Sequence, residues 1–417
     1  MPKVLMIAFH YPPYHGSSGI LRTWNYSRYL PLHGWQPLVL TASQFAYGPQ
    51  STRLDNGLEA PPGVKVWRAP ALDSGRHLAI SGRYPGWLAL PDRWVTWFPG
   101  AVATALWIIA RYRPQAIWST FPIATAHLIA GTVKRVTGVP WIADFRDSMT
   151  EDNYPADVRQ RNVYRRIEGR AIRSADASIF TTDGTKDMYR ARYSGSTHAA
   201  MHVIPNGYDE DVFERVESKA VGSAAKSSLQ KIRILHSGIV YPSERDPRPF
   251  LEALSELKRR GQVDSETIEI VFRDSGHDEL LGEWVAQAGV ADIVRLEPPI
   301  PYERAIEEML NADALLLMQA ANSNHQIPAK LYEYLRSGKP ILAATDPAGD
   351  TARVLQSLGV DSIVNIADVS DISGSLPRFL TKVRAHEAPM ADPTSIQRFS
   401  RRNQAAALAG LLHKMAN

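Results

Sequence analysis

Lys330 and Glu333 stand three residues apart in a stretch, 326–340, that has the marks of a helix running into a strand. At that spacing on a helix the two side chains share nearly one face. A cation for phosphate and a carboxylate for ribose hydroxyls at that separation suit a nucleoside diphosphate. The same pair also suits an ordinary surface ion pair. Pro328 fits a helix start, and Gly338 is placed to end the helix before Pro340 and a buried strand at 341–344. A lysine near a helix start opposes the helix dipole, so the charge of Lys330 calls for an anionic answer.

Three other segments bring charge or glycine to the end of an apolar run. His236-Ser237-Gly238 is followed by Arg245, whose planar fork of donors suits a diphosphate. Near the N-terminus, Tyr11-Pro12-Pro13 leads through Gly16 and Gly19 into a helix containing Arg22. Glycine lets backbone approach a ligand closely, and the following helix start favours phosphate. Its spacing matches neither the dinucleotide fingerprint nor a Walker loop, and a capped Pro/Gly turn explains it equally. Trp141-Ile142-Ala143-Asp144-Phe145-Arg146-Asp147 puts two carboxylates and a guanidinium where a strand should leave its sheet. Asp144 and Asp147 suit an acceptor hydroxyl and Arg146 an anion; an ion pair tying the loop is the plainer alternative.

The elements that must position these residues follow from hydrophobic rhythm. Strands are expected at 4–9, 37–41, 64–68, 116–119, 141–144, 177–181 and 203–204, with helices at 20–32, 123–136 and 158–174 between them. Continuous apolar strands alternating with helices imply a parallel sheet covered on both faces. The stretch 216–231 has no apolar period and reads as a linker. A second series follows at 232–236, 268–272, 293–296, 314–318, 341–344 and 362–364, then a helix over 394–415. Two open parallel sheets predict an α/β protein of two Rossmann-like domains facing a central cleft, with ligands at the strands' carboxyl ends.

The 417 residues suffice for two domains, and 44% hydrophobic with 22% charged residues is ordinary globular composition. No cysteine is present, which excludes disulfide scaffolds, thiol nucleophiles and iron–sulfur clusters. A net charge of +4, from 47 basic and 43 acidic residues, favours anionic partners without naming one. Basic residues interleaved with acids, and no recognition module, argue against nucleic acid. The apolar run at 4–9 is too short for a signal-peptide core. The longest one, 98–110, is short of the roughly 20 residues needed to span a membrane. A cytoplasmic chain is expected.

Taken together the motifs resemble the GT-B glycosyltransferases of family 4, over nearly the whole chain. The Pro328-Ala329-Lys330-Leu331-Tyr332-Glu333-Tyr334 run and the Pro205-Asn206-Gly207 crossover carry most of that resemblance. Within it, the chain is most similar to members that build bacterial polysaccharides and lipid-linked oligosaccharides. The resemblance implies an acceptor-binding domain over 1–208, a nucleotide-sugar domain over 209–390, and a C-terminal helix over 391–417 packing back toward the first. It implies sugar transfer with retention, using a nucleotide-diphosphate sugar as donor and neither metal nor cofactor. Lys330 and Arg245 would neutralise the leaving diphosphate, with Gly238 and Leu331 beside them. Glu333 would hold the ribose, Ile300 would lie near the base, and the Gly16–Gly19 loop would close on the phosphates. Three positions depart from the family pattern: His325 stands where the first acid of Glu-x7-Glu belongs, Ile239 replaces an arginine, and Arg146 replaces a histidine. His325 or Asn324 would then have to face the donor sugar.

Nine of the ten tryptophans fall in the first 141 residues, several in the aromatic run 87–98. Arg159, Arg161, Arg165, Arg166, Arg170 and Arg173 crowd one expected helix. Together they suit peripheral docking to the inner face of an anionic membrane, to reach a glycan or an undecaprenyl-pyrophosphate-linked acceptor. Buried tryptophans and a solvated arginine face are the equal alternative. Two other functions fit the same fold: a nucleotide-sugar 2-epimerase, and a degenerate protein that binds nucleotide sugar without turnover.

Overall fold

A computed structural model describes residues 1–14, 19–48, 58–195, 200–220 and 231–416. The chain divides into two units, one of residues 1–206 with 401–417 and one of 207–400. The first holds seven parallel strands, β1 (Lys3–Ile7), β2 (Gln36–Ala42), β3 (Lys65–Ala69), β4 (Ala116–Thr120), β5 (Trp141–Asp144), β6 (Ala177–Phe180) and β7 (Ala200–Val203). Their order is β3-β2-β1-β4-β5-β6-β7. The second holds β8 (Ile232–Ser237), β9 (Ile268–Arg273), β10 (Val294–Glu297), β11 (Ala314–Gln319), β12 (Ile341–Thr345) and β13 (Ile363–Val364), ordered β10-β9-β8-β11-β12-β13. Both orders reverse beside the first strand, the arrangement that leaves a ligand crevice at the carboxyl ends there. All thirteen expected strands are present, within a few residues of their expected bounds.

Alternation along each strand builds two cores per sheet. Leu5 and Ile7 enter one core of the N-terminal unit, while Val4 and Met6 enter the other. In the C-terminal unit Leu316 and Met318 face one side of β11, and Leu315 and Leu317 the other. β11 and β12 are buried along their whole length, which is why each carries an apolar run of four residues or more.

The helix Arg401–Ala416 belongs to the N-terminal unit. Ala405, Leu408, Ala409 and Leu412 complete a core made by Val4, Met6, Tyr26, Trp35 and Trp118. Burying Leu408 and Leu412 contributes about 1.5–3 kcal/mol each.

The expected linker at 216–231 starts later than its composition suggests. The helix Glu210–Ala220 runs into it because Val212, Phe213 and Val216 form one buried stripe. Arg336 holds that helix by bonding both Glu210 and Glu217. Residues 221–230 lie outside the described set.

Candidate functional site

In the C-terminal unit the strand order turns between β8 and β11, and β8 runs directly into Gly238. Gly238 has φ +100°, and a Cβ there would stand 3.3 Å from the Lys330 ammonium nitrogen. Only glycine allows both that backbone and that contact. Lys330 opens the helix Lys330–Ser337, whose end is set by Gly338 in the left-handed region, as its sequence predicts. The helix is held against β8 by Tyr334, whose hydroxyl accepts from the Ser237 amide at 2.8 Å.

Among the described residues, the half-buried Lys330 forms no ion pair with a carboxylate. Its Nζ lies 3.0 Å from Nε2 of His236, a fully buried residue of β8. The His236 Nδ1–H donates to the Leu316 carbonyl at 2.9 Å, which fixes the tautomer and leaves Nε2 as the acceptor. Burial and the neighbouring Arg245 hold Lys330 well below the usual lysine range. Burial and the Lys330 charge hold His236 well below the usual histidine range, so it is neutral.

Arg245 reaches this cluster from the loop after β8. Its Nη1 donates to the Ile239 carbonyl at 2.5 Å, and its guanidinium lies over the Tyr241 ring at 5.3 Å. Burial lowers its pKa, although an arginine remains charged. The loop is tied to the end of β11 by the Ala320 amide donating to Glu244 O at 2.7 Å. Glu333 lies one turn beyond Lys330 and accepts from the Tyr302 hydroxyl at 2.6 Å. Ile300, half-buried, stands just before Tyr302 in the connection after β10. Leu331 points into the core, and its amide donates to Pro328 O. Lys330, Arg245, Glu333 and Gly238 are thus gathered at the carboxyl edge of one sheet.

His325 is exposed in the loop after β11. Asn324 has bonds of its own: its side-chain Nδ2 donates to Asp346 at 2.7 Å and its backbone carbonyl accepts from Asp350 N. Its side-chain amide thus ties the loop after β11 to the loop after β12. Gln319 completes that latch by donating to the Ser323 and Gln326 carbonyls.

In the N-terminal unit Arg22 occupies Asp144, so that carboxylate does not face an acceptor. The pair is fully buried, with Nε–Oδ2 at 2.8 Å and Nη2–Oδ1 at 3.3 Å. The same guanidinium donates to the Ile204 and Pro205 carbonyls at 3.0 Å each. Beyond the strand, Arg146 is nearly buried and Asp147 is partly exposed, 3.5 Å apart. Gly19 is the buried first residue of its helix; Gly16 lies outside the described residues.

His10 follows the carboxyl end of β1. Its ring stacks on Tyr14 at 4.5 Å, and burial with the Arg146 charge lowers its pKa to about 3. In the sequence His236 is only the start of a His-Ser-Gly motif, and nothing there links it to a lysine 94 residues on. Among the described residues, no three or more His, Cys, Asp or Glu gather as a metal site.

The aromatic run divides. Trp97 is core and Trp94 packs on it, while Trp87 is 69% exposed. Arg159, Arg165, Arg166, Arg170 and Arg173 are exposed on the helix Val158–Ser174 and make no ion pair among the described residues. Arg161 instead bonds the Asp152 carbonyl. No described helix is long and apolar enough to cross a membrane.

Residues 20–207 match the family model of the glycosyl transferase 4-like domain. No curated protein matches the chain. Its fold is similar to sucrose-phosphate synthase from Thermosynechococcus elongatus, at 13% identity and TM-score 0.67, covering 100% of this chain and 99% of that one. Anabaena HepE, solved in complex with UDP, gives 13% identity and 0.61 over 100% and 97%. UDP-GlcNAc 2-epimerase from Neisseria meningitidis, bound to UDP-GlcNAc, gives 13% and 0.55 over 99% and 100%. At these identities the likeness is one of fold. The two Rossmann-like units have the GT-B fold.

Proposed function

We propose that the protein is a retaining glycosyltransferase moving a sugar from a nucleotide-diphosphate donor to a glycan or lipid-linked acceptor, in bacterial surface polysaccharide synthesis. The observation that carries this reading is the gathering of Lys330, Arg245, Glu333 and Gly238 at the carboxyl edge of the C-terminal sheet. Two cations beside a glycine turn suit a diphosphate, and a carboxylate one helical turn away suits ribose hydroxyls. Ile300 would lie against the base.

In glycosyl transfer, negative charge grows on the departing diphosphate. Fixed cations in a water-poor site stabilise that charge with little reorganisation. Lys330 and Arg245 supply them, so no metal enters the scheme. Arg146 and Asp147 would meet the acceptor on the N-terminal unit, with His325 toward the donor sugar. Gly16 and Gly19 would bring backbone close to phosphate.

The fold likeness to the 2-epimerase supports a second reading, epimerisation of a nucleotide sugar without an acceptor. Thermal-shift measurements with UDP, GDP, dTDP, ADP and CMP test the first step of both. One diphosphate should stabilise the wild type and leave Lys330→Ala unmoved; no response to any would count against the site. Incubating that nucleotide's sugars without acceptor then separates the two, since an epimerised sugar would replace transfer as the conclusion.

The reading includes peripheral attachment to an anionic membrane. Its support is the exposed arginine face of the helix Val158–Ser174 and the exposed Trp87 in the same unit.

A further inference from the structure

Among the described residues Lys330 has no ion-pair partner, and its Nζ is held by a neutral ring. His236 has no side-chain exposure and packs against Phe272, with ring centroids 5.5 Å apart. Its Nδ1–H is spent on the Leu316 carbonyl, so its Nε2 lone pair is aimed at the lysine, 3.0 Å away. On the other side, Gly238 lets the lysine end lie against backbone. We propose that His236 is a positioning residue for Lys330: it orients the ammonium toward an incoming diphosphate without cancelling its charge. This rests on the reading that the C-terminal unit binds a nucleoside diphosphate through Lys330.

The physical distinction is between orienting and neutralising. A carboxylate at the end of β8 would hold the lysine as well, but the diphosphate would then have to displace it. An imidazole acceptor fixes direction and leaves the full positive charge for the ligand. Four groups face Lys330: His236 from β8, Arg245 from the loop after it, Asp274 from the end of β9, and Glu333 from its own helix. Asp274 and Glu333 favour the charged lysine, whereas burial and Arg245 oppose it. A bound diphosphate tips that balance, so binding takes up a proton wherever the lysine was neutral. Affinity should therefore fall as pH rises past the pKa of the unliganded lysine.

The test uses calorimetric titration of the full chain with UDP, GDP, dTDP and ADP, continued with the tightest binder across about pH 6 to 9. The variants are His236→Gln, His236→Glu and His236→Phe, each checked for folding by circular dichroism. His236→Gln, which keeps a neutral acceptor, should stay within roughly threefold of wild type. His236→Glu should weaken binding by about tenfold or more near neutral pH, as an ion pair competes with the ligand. Its pH dependence should also move upward, because a carboxylate raises the lysine's pKa. Equal losses in the Gln and Glu variants with an unmoved pH profile would make His236 a packing residue and overturn the proposal, leaving the nucleotide site standing. If His236→Glu does not fold, Gln against Phe decides: binding and pH profile altered only in Phe support the proposal, and identical behaviour overturns it. No binding of any of the four by wild type would remove the underlying reading and the proposal with it.

Discussion

Arg22 and Asp144 lie 122 residues apart in the chain and meet as a fully buried, two-bond ion pair inside the N-terminal unit. The same guanidinium binds the carbonyls of Ile204 and Pro205, so one side chain ties a helix, β5 and the segment leaving the unit. Removing one partner of such a pair strands a buried charge. Asp144→Ala should cost about 3–5 kcal/mol in this unit. Urea unfolding followed by tryptophan fluorescence reports it, since nine of the ten tryptophans lie in the first 141 residues. A loss of about 1 kcal/mol or less would make the pair no stronger than an exposed one.

Acid should weaken the same unit through its buried histidines. Burial, joined at His10 by the Arg146 charge, lowers the pKa of both His10 and His127 to about 3 from an ordinary 6.5. The unfolded chain therefore binds protons that the folded one refuses. Their stabilisation is complete above pH 6.5 and is lost as pH falls toward 3. Each costs about 1.4 kcal/mol per pH unit below 6.5, or about 2 kcal/mol by pH 5. Melting temperatures at pH 7.5 and 5 should separate widely in wild type and less in His127→Gln. Coincident melts at the two pH values would contradict this.

Gly238→Ala should damage the site as well as the fold. Its φ of +100° makes any side chain costly, about 1–2 kcal/mol, and the added methyl meets Lys330. Gly261, at φ +65° with open space around it, is the control. Both alanine variants should lose stability, but only the one at 238 should lose nucleotide affinity. Equal affinities would mean that Lys330 tolerates displacement.

Turnover gives a harsher test. Lys330→Ala and Arg245→Ala should each lower the transfer rate by roughly 10²-fold, the loss expected for one electrostatic stabiliser of the transition state. Wild-type rates in either variant would exclude that residue from the reaction.

For the membrane, flotation with phosphatidylglycerol vesicles should carry the wild type upward and leave the triple variant Arg165→Glu, Arg166→Glu, Arg170→Glu at the bottom. Phosphatidylcholine vesicles should bind neither. Failure of the wild type to float on anionic vesicles would end that reading.

What the sequence makes legible here is set by range. Strands such as β8 and β11 are local apolar runs, and the end of the helix after Lys330 is announced by Gly338 within the same segment. Lys330 and Glu333 share a face because helical spacing says so. Partners that arrive from afar have no such signature. The pairing of Lys330 with His236 and that of Arg22 with Asp144 arise only once parallel strands bring distant carboxyl ends together. The second of these also explains why Asp144 reads as a ligand in the sequence and is a tether in the fold. Asn324 shows the same limit, since its role as a latch depends on Asp346 and Asp350.

The helix Arg401–Ala416 makes the N-terminal unit discontinuous, with the whole of 207–400 inserted before its last piece. During synthesis, Trp35 and Trp118 leave the ribosome hundreds of residues before Leu408 and Leu412 arrive to cover them. The nascent N-terminal unit must therefore wait, with one apolar face incomplete, for the entire second unit to be made. A chain stopped at the unit boundary would lose its final helix and, with it, part of the first unit's core.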